Sequence, residues 1–239
     1  MHCIGDIMNG KIQFNGKPMS LRRVFVYILG LFCMALGIAF AITSDFGVSP
    51  VTTVPYVAGR VLGVSVGLGT IVSFIVFILF QLCIYRSHFK VSYILQFPVA
   101  IMFGYFTDFT KMLVAPLGTP SGWPMQLAYY VVCIILVGLG LRAYLTADIM
   151  ELPSDGVSLC IAWATKKPLH IIKRFFDCFC VILSSAVSIL VLHDWEGIWI
   201  GTILAALFTG TSLKIWTGIL QRPLEKFLFA DNDKEGLCK

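Results

Sequence analysis

Long apolar stretches alternate with short polar segments along most of the chain. Six stretches are nearly free of charge, and each is close to the roughly 20 residues that a helix needs to cross a bilayer. Because lipid offers the backbone no hydrogen-bond partners, each stretch is expected to be helical. The predicted crossings are 24–42, 64–85, 91–109, 125–145, 175–191 and 198–220.

The composition agrees with a membrane protein. Hydrophobic residues make up 58% of the 239-residue chain, charged residues 13%, and the mean hydropathy is +0.86. Soluble domains have about 45–50% apolar and about 25% charged residues. We therefore predict an all-α protein embedded in a lipid bilayer. The net charge of +5 does not predict nucleic-acid binding, because the basic residues are dispersed between the crossings.

The basic residues also predict an orientation. With the N-terminus inside the cell, fourteen of the 18 Lys and Arg residues fall in inner segments and only Arg60 and Lys111 in outer ones. Such a bias places both termini in the cytoplasm. Residues 22–41 also have the pattern of a signal peptide. We expect no cleavage there, because this helix has a counterpart later in the chain.

A repeated motif relates the two halves. The stretch TSDFGVSP at residues 43–50 aligns with TADIMELP at residues 146–153 when the sequence is shifted by 103 positions. Thr, Asp and Pro coincide in the two copies, and apolar helix composition alone does not supply these residues. Each half would hold three crossings, so the second would enter the membrane upside down. This predicts a 3+3 inverted repeat, which is typical of secondary transporters. A duplicated bundle without transport is the alternative.

Each motif precedes a short apolar segment, at residues 50–62 and 153–164. At 13 and 12 residues these segments are too short to span, so we predict re-entrant or interfacial helices that begin at a proline. Ser49 is the predicted N-cap of the first. The predicted organisation is a cytoplasmic segment 1–23, a first repeat 24–117, an outer linker 118–124, a second repeat 125–220 and a cytoplasmic tail 221–239.

The two motifs hold the candidate binding residues. A helix N-terminus with hydroxyls beside it can hold a carboxylate or phosphate, whereas the acids favour a cation, a proton or an amine. Arg142 would neutralise an acid of the second motif or a substrate carboxylate; the alternative is that its side chain only extends to the membrane surface. The alternative is that the acids only cap helices. The predicted substrate-binding residues are Asp45, Ser49, Thr52, Thr53, Arg142, Asp148, Glu151 and Asp155.

Other polar residues within the crossings are expected to have local partners. Asp108 is expected to pair with Lys111, and Lys173 with Asp177, since residues three or four apart meet on a helix surface. Gln81 and Gln96 are expected to bond between helices, and Gly37 and Gly140 to allow close helix contact.

The sequence contains no phosphate-binding loop, dinucleotide fingerprint or hydrolase motif, and its four histidines are dispersed. We therefore predict no enzymatic activity, no catalytic residues, no cofactor and no metal site. The leading prediction is a small transporter or permease for a polar or amphiphilic solute, without an ATPase of its own. The alternative is a membrane-embedded binding or accessory subunit. A homo-oligomer or a membrane partner is left open.

The segment GIAFAITSDFGVSPVTTVPYVA at residues 37–58, its weaker copy, and GTILAALFTG at residues 201–210 carry a family resemblance. With six crossings and these turns, the chain resembles the YczE/YitT type of bacterial membrane protein over residues 24–220. The resemblance implies a multi-pass protein of the bacterial plasma membrane. Members of that type are mostly uncharacterised, so it implies little about the solute.

Overall fold

The computed structural model describes residues 13–14, 17–18, 20–86, 95–193 and 199–229. Two two-residue strands, Gln13–Phe14 and Lys17–Pro18, pair antiparallel, and the remaining regular structure in these residues is helical. The α-helices are α1 Leu21–Ser44, α2 Pro50–Leu62, α3 Val66–Tyr85, α4 Gln96–Val114, α5 Trp123–Ala147, α6 Pro153–Thr165, α7 Leu169–Val187 and α8 Ile200–Phe229. A 3-10 turn, Ala115–Leu117, follows α4, and α7 continues as a π-helix, Ser188–Leu192.

Five of the described helices are long and apolar enough to cross a membrane: α1, α3, α5, α7 with its π-helical extension, and α8. The protein is therefore a multi-pass membrane protein of the all-α class, as predicted. The predicted third crossing, 91–109, is not confirmed: the described helix there is α4, which is not among the five. Residues 91–94 lie outside the described part. The C-terminal half of α4 carries Asp108, Lys111 and two threonines, which lower its hydropathy.

Two breaks divide the long helices from the short ones. Asp45 is the C-cap residue of α1 and Asp148 that of α5, and both aspartates adopt the left-handed conformation, with φ of 54° and 49°. Aspartate tolerates this conformation better than most residues do. The chain then becomes extended and begins a new helix at Pro50 or at Pro153. Both new helices, α2 and α6, have 13 residues and are about 20 Å long, less than a bilayer core.

The centre of the molecule is the contact between α1 and α5. The contacts run in opposite directions along the two helices: Arg23 reaches Ala147, Gly30 lies against Gly140, and Phe40 packs on Tyr129. α1 and α5 are therefore antiparallel. A Cβ atom built on Gly140 would lie 2.5 Å from the carbonyl oxygen of Gly30, so the two backbones touch. The prediction that glycines allow close helix packing here is confirmed.

α3 and α4 form a second antiparallel pair. The rings of Phe74 and Phe103 stack at 5.8 Å, and the buried amides of Gln81 and Gln96 bond to each other further along, with 3.1 Å from Gln81 Nε2 to Gln96 Oε1. The interhelical bonds predicted for the two glutamines are confirmed. The expected pairing of Asp108 with Lys111 is wrong. The Asp108 carboxylate instead accepts bonds from the backbone N–H of Gly67 at 2.8 Å and from a serine hydroxyl, at the N-terminus of α3.

α8 packs parallel to α5. The Tyr130 hydroxyl donates to the carbonyl of Gly201, and the Ser212 hydroxyl donates to the carbonyl of Ile134 at 2.9 Å. α4 packs against α1, α6 against α3, and α2 against α7. α8 extends nine residues beyond the predicted end at 220, so residues 221–229 are helical.

Candidate functional site

A buried arginine holds the break between α5 and α6. Arg23 is 1% exposed; its Nε donates to the carbonyl of Ala147 at 3.0 Å and its Nη2 to the carbonyl of Asp148 at 2.7 Å. The last carbonyls of a helix have no partner within the helix, and the helix dipole makes this end negative. A guanidinium with several donors suits both properties. In the sequence, Arg23 was only one of the fourteen inner basic residues that predict the orientation of the chain.

Asp155, in the first turn of α6, is held by two donors from other helices. The Tyr144 hydroxyl donates to Oδ2 at 2.6 Å, and the Lys173 ammonium contacts Oδ1 at 2.5 Å. The side chains of Lys173 and Asp155 are 45% and 23% exposed, so the ion pair is only partly buried. The predicted pairing of Lys173 with Asp177 is therefore wrong. Oδ1 of Asp177 is buried and has no hydrogen-bond partner among the described residues.

Glu151 lies between the other two acids of this break. Its pKa is raised, first because burial disfavours the charged carboxylate, and second because Asp155 and Asp148 are negative neighbours. The preceding carbonyl, of Met150, accepts a hydrogen bond from the Tyr27 hydroxyl at 3.0 Å. We refer to Asp148, Glu151, Asp155 and Lys173 as the α5–α6 cluster. It joins α5, α6 and α7, and α1 closes it through Arg23 and Tyr27.

The raised pKa of Glu151 predicts a pH-dependent stability. Folding favours the protonated form, so this contribution to stability is full below the ordinary pKa of about 4.3 and is lost as pH rises through the raised value. Glu151→Gln should therefore raise the melting temperature at pH 8 and leave it unchanged near pH ~4. Thermal unfolding in detergent at the two pH values measures this. Glu225→Gln, on α8, is the control, and an equal response of both variants would contradict the prediction.

Arg142 does not take the predicted place beside Asp148. Among the described residues it forms no hydrogen bond or ion pair with that aspartate, and its Nε is buried without a partner. Its backbone carbonyl accepts a bond from the Thr146 hydroxyl at 2.7 Å. The expected neutralisation of Asp148 by Arg142 is thus corrected: Arg23 is the cation bonded at that residue. Substrate binding by Arg142 stays a prediction.

The hydroxyls of the first break bond to nearby backbone and to one another. Thr52 Oγ1 donates to the carbonyl of Ser49 at 2.9 Å, and the two side-chain hydroxyls also contact each other. Thr53 is fully buried; its hydroxyl donates to the carbonyl of Pro50 at 2.7 Å and lies 3.4 Å from the carbonyl of Cys180 on α7. Ser49 is the N-cap residue of α2, as predicted, but within the described residues its side chain makes no capping hydrogen bond.

Asp45 borders a cavity of about 440 Å³ that is open on one side. The cavity lies between the end of α1, the end of α4 with its 3-10 turn, and the start of α5. Besides Asp45, polar residues of its wall include Thr43, Lys111, Thr119 and Gln126. We refer to it as the α1–α5 cavity.

The two predicted sets of site residues lie at opposite ends of the α1–α5 pair. Arg23, which bonds Asp148, and Asp45 are 22 positions apart along α1, about 33 Å at 1.5 Å per residue. The expectation that Asp45 and Asp148 line one central cavity is therefore corrected, because the structure holds two separate polar sites. Among the described residues, no three His, Cys, Asp or Glu side chains are placed to hold a metal ion together.

The match to a family of unknown function, DUF6198, covers residues 21–218. The chain belongs to this family. The matched part starts with the first residue of α1 and ends inside α8, so it includes both breaks, the α5–α6 cluster and the α1–α5 cavity. No curated protein and no solved structure matches the chain. The resemblance of this DUF6198 protein to the YczE/YitT type stays a prediction.

Sequence reasoning missed residues that the fold supplies to the cluster from other helices. Arg23 and Tyr27 come from α1, Tyr144 from α5 and Lys173 from α7. One signal was present. The shift of 103 positions that places Asp45 on Asp148 also places Arg23 on Gln126. Because α1 and α5 are antiparallel, each of these N-terminal residues lies near the C-terminal break of the other helix.

Proposed function

We propose that this DUF6198 protein is a small transporter or permease for a polar solute, without an ATPase of its own. One observation carries the proposal: two helix breaks of the same local structure lie at opposite ends of the antiparallel α1–α5 pair, each with charged residues beside it. Broken helices with ionisable groups are the usual means by which transporters hold a solute inside a membrane.

The packing supports an inverted repeat behind this arrangement. A long helix, a short helix and two long helices follow one another twice, and the two short helices have equal length. α1 packs against α4, and the equivalent helices of the second half, α5 and α8, also pack together. In the same way, α3 packs against α6, and their equivalents α7 and α2 pack together. α1 and α5 are antiparallel, as two helices related by inversion must be. The proposed halves are 24–117 and 125–220.

A 3+3 arrangement requires α4 to be the sixth crossing. α4 has 19 residues and is about 28 Å long, close to the roughly 30 Å of a bilayer core. It runs antiparallel to α3 from Gln96 to Asp108. Its lower hydropathy is compatible with a crossing, because the hydroxyls of Thr107 and Thr110 are buried and bond to carbonyls of the same helix.

Uptake by the purified protein tests the proposal. Proteoliposomes that contain only this protein should accumulate at least one of a panel of radiolabelled amino acids, amines and organic acids under an imposed proton or sodium gradient. Asp148→Asn should lower that uptake about tenfold or more, the scale of one lost hydrogen bond to a charged group. Lys214→Gln, an exposed position on α8, is the matched control and should transport normally.

The alternative, a binding or accessory subunit, gives a different result in the same experiment. Saturable binding of a panel member without accumulation under any gradient would favour that alternative and contradict the transport proposal. Normal uptake by Asp148→Asn would show that transport does not depend on the charge at the second break.

The proposed location is the bacterial plasma membrane with both termini in the cytoplasm, supported by the bias of basic residues towards the inner segments. Two exposed positions test it, Ser121 before α5 and Lys167 between α6 and α7. In a cysteine-free background, a cysteine at Ser121 should react with an impermeant maleimide on intact cells. One at Lys167 should react only after the cells are opened. The reverse pattern would overturn both the orientation and the proposed direction of the repeat.

A further inference from the structure

The α1–α5 cavity has the size of a small-molecule site. Its volume of about 440 Å³ lies within the range of roughly 300–1,000 Å³ that is usual for ligand pockets. It is lined by three different helix ends, so its shape depends on tertiary packing rather than on one flexible loop. Its polar residues are carried by α1, α4, α5 and the turn before α5.

Two opposite charges border this cavity without neutralising each other. In the described part of the chain, the Asp45 carboxylate and the Lys111 ammonium form no ion pair or hydrogen bond, with each other or with another residue. Their charged atoms are therefore more than 4.0 Å apart. Asp108, one turn before Lys111, is already engaged at the N-terminus of α3.

Two of the three helix ends extend this separation of charge, whereas the third, the negative C-terminus of α4, lies beside Lys111 and is offset by its ammonium group. Asp45 caps the C-terminus of α1, where the dipole is negative, and Gln126 lies in the first turn of α5, where the dipole is positive. An ammonium group would therefore be stabilised near Asp45, and a carboxylate near Lys111 and the α5 N-terminus. A ligand with a single positive charge would be attracted by Asp45 but repelled by Lys111. A ligand with a single negative charge would be attracted by Lys111 but repelled by Asp45.

The two breaks differ in the residue that lies near the aspartate. Asp45 corresponds to Asp148 under the shift of 103 positions, and Gln126 corresponds to Arg23. At the second break, Arg23 enters the space beside the aspartate and bonds the last carbonyls of α5. At the first break, the shorter and uncharged Gln126 lines the cavity wall beside Asp45.

We propose that the α1–α5 cavity binds a small zwitterion, with its ammonium group on Asp45 and its carboxylate on Lys111. The inference rests on the proposed function, for which it names the class of solute. Gln126 and Thr43 supply neutral hydrogen bonds to the same ligand.

Matched ligands test the charge requirement. The purified full-length protein in detergent is titrated by calorimetry and by thermal shift with glycine, β-alanine and γ-aminobutyrate, which differ in the spacing of their charges. Ethylamine, propylamine and butylamine keep only the ammonium, and acetate, propionate and butyrate keep only the carboxylate. At least one zwitterion should bind saturably and raise the melting temperature. Its amine and acid analogues should bind about tenfold or more weakly, as the loss of one charge-assisted hydrogen bond predicts.

Variants assign the binding to this cavity. Asp45→Asn and Lys111→Gln should each weaken zwitterion binding by about tenfold or more without loss of the fold, because asparagine tolerates the left-handed conformation and Lys111 is exposed. Gln126→Arg should fill the cavity and bond the last carbonyls of α1, as Arg23 bonds those of α5, abolishing binding while keeping or raising the melting temperature. Lys214→Gln should bind as the wild type does.

The outcomes separate this inference from the transport proposal. No binding of any zwitterion, equal binding of the single-charge analogues, or undiminished binding by Asp45→Asn and Lys111→Gln would overturn the zwitterion site. Uptake of a solute by proteoliposomes in that case would leave the transporter proposal standing. Specific zwitterion binding without uptake would support the site and contradict transport.

Discussion

Arg23→Met is expected to destabilise the folded protein by about 2–4 kcal/mol, because one buried and one partly buried carbonyl lose their donor. Arg23 is 1% exposed, and its guanidinium connects α1 to the last carbonyls of α5, those of Ala147 and Asp148. Methionine fills a similar volume but donates no hydrogen bond. Arg23→Lys should recover only part of the loss, since an ammonium lacks the planar fork that reaches both carbonyls.

Its neighbour Arg22 provides the matched control for this prediction. Arg22 is exposed at the same end of α1, and its guanidinium lies 5.7 Å from the centroid of the Phe227 ring. Arg22→Met removes the same charge from the same segment, so it should change the stability little. Unfolding by denaturant in detergent micelles measures both variants. Equal losses would show that charge at this end of α1, rather than the bonds to α5, stabilises the break.

Lys173→Met and Asp155→Asn are each expected to lower uptake about tenfold or more, because we place the ion pair between α6 and α7 among the charged groups of the second break that act in the proposed transport. The effect on stability should be much smaller, at most about 1 kcal/mol, since both side chains are partly exposed to solvent. Asp155→Asn keeps an oxygen that can accept the Tyr144 hydroxyl, so it should fold normally. Both variants should therefore lose most of their uptake while they keep most of their stability.

Two further variants complete this experiment: the double variant of the ion pair and a substitution of a nearby carboxylate. Asp155→Asn combined with Lys173→Met should be more stable than the sum of the single losses predicts, because no unpaired charge is left. Asp177→Asn is the control on the same helix as Lys173; its buried oxygen has no partner in the described structure, so little stability should be lost. Normal uptake by both single variants would remove the α5–α6 cluster from the proposed mechanism.

The membrane class and the local structure of the two breaks were predictable from the sequence, because both depend on short-range physics. A long apolar stretch must form a helix in lipid whatever surrounds it, and five of the predicted crossings were confirmed as helices long and apolar enough to span. Asp45 and Asp148 accept the left-handed conformation, and a proline can begin but not continue a helix. These preferences place the breaks without reference to the rest of the chain.

The exception among the crossings shows the limit of that reasoning. α4 has the length of a crossing but not the hydropathy, since it carries polar residues whose partners lie inside the protein. Hydropathy counts every residue as if it faced lipid. It cannot tell that Gln96 is fully buried against Gln81, or that the Asp108 carboxylate binds the start of α3.

Only the tertiary structure decided which charged residues meet. Local spacing favoured Asp108 with Lys111 and Lys173 with Asp177, and both expectations were wrong. A pair four residues apart on a helix gains only about 0.2–0.5 kcal/mol, so any better partner supplied by another helix replaces it. Arg23 lies 124 positions from Ala147 in sequence, and no periodicity within either helix predicts their contact. The antiparallel packing of α1 on α5 brings them together, and it also places Asp45 and Asp148 at opposite ends of the molecule.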